Sequence, residues 1–326
     1  MKIKMFFLAL AALAMLCSSA LAGPDLQFPL QCEYGQNCFI QQYFDHDPSP
    51  GWKDYTCGSL SYDGHTGTDF RVSYDDYLAG VPVLASADGV VVAIRDNMPD
   101  IDAHGREHLI KGKEAGNGVV LEHGDGYRTQ YSHLKRGSIL VKRGDKVKAG
   151  QPLGMVGLSG MTEFPHLELA VRHNGKSVGP FTGGKANPAC NDTSGNLWAP
   201  ETARLLRYIP TAPLDAGFAM QRPSLPEVLR DPLYDAPLQA NAPALVFWVA
   251  IFGAQQGDVA HLELHGPDGN TLAQNDTIFP KNQAQRLDFI GKKGRTTWPS
   301  GEYTGRYTLK RGAQVILDLE RRAVIP

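Results

Sequence analysis

The chain has 326 residues, 42% hydrophobic and 20% charged, an ordinary globular composition and long enough for about two domains with cores of their own. A formal net charge of -2 offers no basic field for neutralising phosphates, which excludes nucleic acid as a partner class.

Residues 1–22 join two lysines to an apolar stretch too short to span a bilayer with margin, and end in Ala20-Leu21-Ala22 before Gly23. This pattern reads as a secretory signal peptide, leaving no stable membrane span after its removal. Bulky Leu16 before Cys17 speaks against a lipoprotein cleavage site. The remaining Cys32, Cys38, Cys57 and Cys190 are an even number in an exported, oxidising setting, so two disulfides are expected. The short spacing favours Cys32–Cys38 and leaves Cys57–Cys190. A four-cysteine zinc site is the rival, although only the first pair is close in sequence.

Residues 23–62 carry aromatics, Pro and Gly without a helical period and read as an irregular arm stapled on by its cysteines. From 63 to 200, short β-branched runs alternate with Gly, Asp and Asn turns, as in GNGVVLEHGDGYRTQYSHL, which argues for an all-β domain of antiparallel hairpins. The charged segment from Arg95 to Asn117 interrupts them and reads as a long loop over the domain. Prolines recur through 201–241, a linker or wrapping segment, and 242–326 returns to alternating strands separated by PDGN and PSGE turns. That last stretch suggests a small β-sandwich.

Three stretches carry polar groups suited to chemistry. In FPHLELAV, His166 and Glu168 are two apart and share one face of a strand. In DGHTGTDF, His65 and Asp69 are four apart, which is even, so they share a face in an extended chain, with Gly67 removing a side chain between them. In YSHL, His133 follows Tyr127, Thr129 and Tyr131 in alternation and is placed by its strand. Imidazole nitrogen and carboxylate oxygen are ordinary zinc donors, but HxxxD alone is more often a turn Asp beside an exposed His. His261, Glu263 and His265 also alternate, and a strand with one wet face gives that pattern routinely.

HxxxD, then YSHL, then a glycine-rich run leading into PHL resembles, in that order, the M23 peptidases, the lysostaphin or LytM-type endopeptidases of bacterial cell walls. The resemblance covers roughly Tyr62 to Gly175. It implies a LytM-type antiparallel β domain of the duplicated hybrid kind and one metal ion, Zn2+ by default. His65 and Asp69 would be ligands, and His133 and His166 would support the attacking water and the transition-state charge. It also implies peptidoglycan as substrate and a periplasmic or secreted location in a bacterium. Where the family has its third ligand His, this chain has Glu168.

Two readings follow. Glu168 is an accepted donor in the third position, but His, Asp and Glu bring a divalent ion to a formal charge of about zero, where one Asp and two His leave about +1. Bound water is then less acidic, and activity slower, shifted to higher pH, or better with another divalent ion suited to oxygen donors. Alternatively the domain is a catalytically weak or inactive wall-binding protein, or an activator of other cell-wall hydrolases. The C-terminal β domain, with tyrosines and basic residues in KKGRTTWPSGEYTGRYTLKR, is a candidate surface for glycan, for a hydrolase or envelope partner, or only for the first domain.

Overall fold

The computed structural model describes residues 23–103, 105–185, 187–230, 237–294 and 297–326; the expected signal peptide lies outside them. The chain is built almost wholly of antiparallel strands. The first group is β1 (Cys38–Gln42), β2 (Thr68–Val72), β3 (Pro82–Leu84), β4 (Gly89–Arg95), β5 (Asn117–Gly124), β6 (Tyr127–Leu134), β7 (Lys146–Val147), β8 (Pro152–Met155), β9 (His166–His173) and β10 (Lys176–Val178). Seven of these form a sheet in the order β1-β2-β9-β6-β5-β4-β7, with β10 also on β9, while β3 pairs with β8. Alternation sets one face of the sheet against the core, where Phe70, Val119, Leu121, Tyr131, Leu167 and Leu169 are fully buried. The opposite face carries the polar residues.

The second group is β11 (Ala212–Ala219), β12 (Ala244–Ala254), β13 (Val259–His265), β14 (Thr271–Ile278), β15 (Gln283–Lys293), β16 (Gly301–Arg311) and β17 (Gln314–Ile325). A three-stranded sheet, β11-β12-β15, packs on a four-stranded one, β14-β13-β16-β17, around Leu245, Phe247, Leu262, Leu264 and Tyr307. On β12 nearly every residue is buried, as a central strand covered on both faces requires.

Two stretches depart from the sequence expectation. The arm is not merely stapled on: β1 pairs with β2 at the edge of the large sheet, and Leu26, Leu30, Tyr34, Ile40 and Tyr43 are buried in the same core. Within the stretch expected to be a linker, β11 pairs with β12 over seven register positions. Pro213 is tolerated there because β11 is an edge strand and its ladder shifts register between Pro213 and Asp215. Prolines therefore read as linker where they mark a sheet edge.

Disulfides join Cys32 to Cys38 and Cys57 to Cys190, the second closing 133 residues. The two groups of strands touch through Phe39 and Phe252, whose rings are 5.7 Å apart. Among the described residues no helix is long and apolar enough to cross a membrane.

Candidate metal centre

Strand register gathers the polar residues. Asp69 on β2 lies directly opposite Glu168 on β9, and Glu168 lies opposite Ser132 on β6, so the three form one row across the sheet. Opposed residues of antiparallel strands share a face, and His166, two before Glu168, shares it too.

His65 reaches this row by a different route from the one its spacing suggested. Four extended residues would separate His65 from Asp69 by about 13 Å. Instead β2 begins only at Thr68, and His65 sits in a turn whose N–H donates to the Tyr62 carbonyl at 3.0 Å. The turn folds the imidazole back until Nε2 is 3.3 Å from Asp69 Oδ1.

His133 also departs from simple alternation. Thr129 and Tyr131 point into the core, Tyr131 Oη accepting from the Ser86 N–H at 2.6 Å, and continued alternation would bury His133 beside them. At His133 the backbone is left-handed, φ 64°, and the β5–β6 ladder shifts register between Asn117 and Val119. This bulge turns the imidazole to the other face, where Nε2 lies 3.5 Å from Glu168 Oε2 and the ring centroid 4.6 Å from that of His166.

Backbone carbonyls fix both rings. His133 Nδ1 donates to the Ser159 carbonyl at 2.8 Å and His166 Nδ1 to the Phe164 carbonyl at 2.9 Å. A carbonyl only accepts, so each Nδ1 carries the proton and each Nε2 of a neutral ring presents its lone pair to the carboxylates. His166 Nε2 is 3.8 Å from Asp69 Oδ1.

The electrostatics divide the pocket. Burial works against the charged form of His65, but Asp69, then Glu168 and Asp45, raise its pKa. His133 is likewise opposed by burial and raised by Glu168. Asp69 and Glu168 are each held below the carboxylate range despite burial, Asp69 mainly by His65 and His166, Glu168 by His133. His166 goes the other way: burial pushes it down to about 4, with Asp69 opposing and His133 adding to the shift.

Among the described residues no group of three or more His, Cys, Asp or Glu side chains converges closely enough to hold a metal ion. The reason is visible in the pairing: Asp69 is engaged with His65, whereas Glu168 is turned toward His133. Yet His65 Nε2 and Asp69 Oδ1 are buried, face each other and have no hydrogen-bond partner. An imidazole nitrogen and a carboxylate oxygen enclosed together are donor types that fit a cation, and a second carboxylate, Glu168, stands opposite on the next strand.

Among the supporting groups, the sequence pointed to Gly67 and to the loop after Arg95 but not to Tyr62. Tyr62, three residues before His65, sets its ring 4.3 Å from that imidazole. Partial burial, then Asp69 and Glu168, raise the pKa of its hydroxyl, although the residue remains about half exposed. Gly67 leaves room for Glu168, whose Cγ a Cβ there would meet at 2.5 Å. The loop between Arg95 and Asn117 does border the site, since the Ala115 carbonyl accepts from His133 N–H at 2.9 Å. His261, Glu263 and His265 lie on β13, where both imidazoles share Glu263 at 3.2 Å on the outer face of the sandwich.

Residues 63–180 match the profile of Peptidase family M23. Over 110 residues the chain is 42% identical to the peptidoglycan DD-endopeptidase ShyA of Vibrio cholerae, a stretch that is 33% of this chain and 20% of that protein. Over 120 residues it is 32% identical to the DD-carboxypeptidase/endopeptidase Mpg of Neisseria gonorrhoeae, 36% of this chain and 22% of that one. The match thus spans about a fifth of these curated relatives. A zinc containing peptidase of Vibrio cholerae is similar at 28% identity and a TM-score of 0.29, covering 43% of this chain and 39% of that chain.

Proposed function

We infer that this chain, which carries a Peptidase M23 domain over residues 63–180, is an exported bacterial zinc metalloendopeptidase that hydrolyses peptide bonds of peptidoglycan. The observation that carries the reading is the enclosed pair of unshared donors, His65 Nε2 and Asp69 Oδ1, beside two imidazoles whose Nδ1 atoms are already committed. His65, Asp69 and Glu168 would hold a divalent ion, zinc or one better suited to oxygen donors. Such an ion, when bound, polarises the scissile carbonyl and acidifies water.

The remaining work belongs to the side chains. His133, fixed at Nδ1 by Ser159, is set to take a proton at Nε2 from attacking water and return it to the leaving amine. His166, neutral at pH 7 by burial and with Nδ1 committed to the Phe164 carbonyl, offers the Nε2 lone pair as an acceptor that orients the attacking water. Tyr62 adds a phenol that stays protonated. Two disulfides and the N-terminal pattern favour a periplasmic or secreted location.

A second reading, a wall-binding protein or hydrolase activator, draws on the engagement of Glu168 with His133 rather than with Asp69. Metal content and hydrolysis of purified peptidoglycan, measured together on wild type and Asp69→Ala, separate the two. Stoichiometric metal and hydrolysis that both vanish in Asp69→Ala support the peptidase. A metal-free, inactive wild type that still binds the wall supports the other.

A further inference from the structure

On the polar face of the large sheet, successive cross-strand pairs run away from the candidate centre: Ser132 with Glu168, Gln130 with Ala170, then Arg128 with Arg172. Arg172 is four residues beyond Glu168, about 13 Å along β9. Two arginines directly opposite on antiparallel strands repel each other. Glu122, opposite Arg128 on β5, answers one of them, accepting at Oε1 from Arg128 Nη2 at 2.7 Å and from Nε at 3.2 Å.

Arg172 is left with its charge unanswered. Its Nη1 donates to Gln130 Oε1 at 3.0 Å, and among the described residues it forms no ion pair. On its other side, β10 places Ser177 opposite, a hydroxyl without charge. Gln130 in turn donates through Nε2 to Ser132 Oγ at 3.0 Å, and Ser132 stands beside Glu168 in register. The half-buried guanidinium is therefore braced by a short chain of hydrogen bonds that begins in the row of the candidate centre itself.

We propose that Arg172, braced by Gln130 and flanked by Arg128, binds a carboxylate of the peptide substrate three to four residues from the bond that is cut. This names the substrate class, an anionic peptide, and rests on the peptidase reading above. A bound carboxylate relieves the repulsion between the two arginines, and the planar guanidinium suits it in a way a lysine does not.

The test is titration calorimetry with cross-linked stem-peptide dimers released from cell wall, as free acids and after amidation of their carboxylates. At low salt, wild type is expected to bind the free acid about tenfold more tightly than the amide. Arg172→Gln should erase that difference and Arg172→Lys restore part of it, with KM rather than kcat carrying the change. Equal binding of the two forms by wild type, an unchanged ratio in Arg172→Gln, or binding of neither form overturns the proposal. If wild type cuts both forms with equal KM, the subsite fails and the peptidase reading stands. If it cuts neither while Arg172-dependent binding persists, the subsite stands and the peptidase reading falls.

Discussion

His133 Nε2 lies 3.5 Å from Glu168 Oε2, so the carboxylate proposed as a metal ligand also faces the imidazole proposed to move the proton. The two proposed roles are therefore coupled through one side chain.

Glu168→Gln removes the anion that raises His133 and leaves burial, which lowers it. The His133 pKa of the metal-free protein should fall, as read from its imidazole proton resonances across pH. The linkage sign is that of a raised group: the stabilisation from this pair is full below the unfolded histidine pKa and is lost as pH rises through the folded one, so Glu168→Gln weakens stability chiefly on the acid side. A His133 titration that does not move in Glu168→Gln means that the pair is not formed in solution.

His166 carries the opposite sign. Its folded pKa of about 4 lies below the unfolded value of 6.5, so the unfolded chain binds its proton more readily between those limits. In the metal-free protein its contribution holds above about pH 6.5 and is lost as pH falls toward about 4. Urea unfolding at a series of pH values should show a shallower acid arm in His166→Asn than in wild type.

Replacing His133 by Ala should lower kcat on peptidoglycan by about 10²–10⁴-fold, the range of a lost general base, with metal content unchanged. Loss of the metal along with activity would instead make His133 a ligand. Glu168→His, which removes one anionic donor, should move the ascending limb of the pH–rate profile to lower pH.

Gly116 has φ 62°, and a Cβ there would meet the Ser159 carbonyl oxygen at 2.1 Å, the same oxygen that accepts from His133 Nδ1. Gly116→Ala should therefore destabilise the fold by about 3 kcal/mol and disturb His133 at the same time. Thermal unfolding measures the first effect. The resonance of the His133 Nδ1 proton measures the second.

Cys57–Cys190 spans 133 residues and Cys32–Cys38 only 6. On the loop-closure model the long bridge contributes about 5 kcal/mol and the short one about 2 kcal/mol. Double Ser replacements should rank in that order in denaturant unfolding, and the reverse order would show that native-state packing, not chain entropy, dominates.

The sequence made the strand-rich architecture and the family resemblance legible, because alternation and ordered motifs are local signals. What escaped was the geometry that depends on non-local backbone. The His65–Asp69 spacing looked extended but is a turn, since nothing in HTGTD shows where β2 begins. His133 looked aligned with Tyr131 but is re-aimed by a left-handed residue and a register shift that only the partner strand reveals. β11 was hidden by Pro213, which its edge position makes harmless. The pairing of Glu168 with His133 rather than with Asp69 is a matter of side-chain direction, and spacing does not encode it.

The strand β1 belongs to the arm, outside the stretch matched by the family, yet it covers the edge of β2, the strand that carries Asp69. A fragment starting at residue 63 would present the backbone donors and acceptors of β2 unpaired and lay bare the apolar surface that Ile40 and Leu30 now cover, an open template for other strands. Such a fragment should self-associate, and inactivity measured on it would report aggregation rather than chemistry. A fragment that keeps β1 should stay monodisperse where one starting at residue 63 does not.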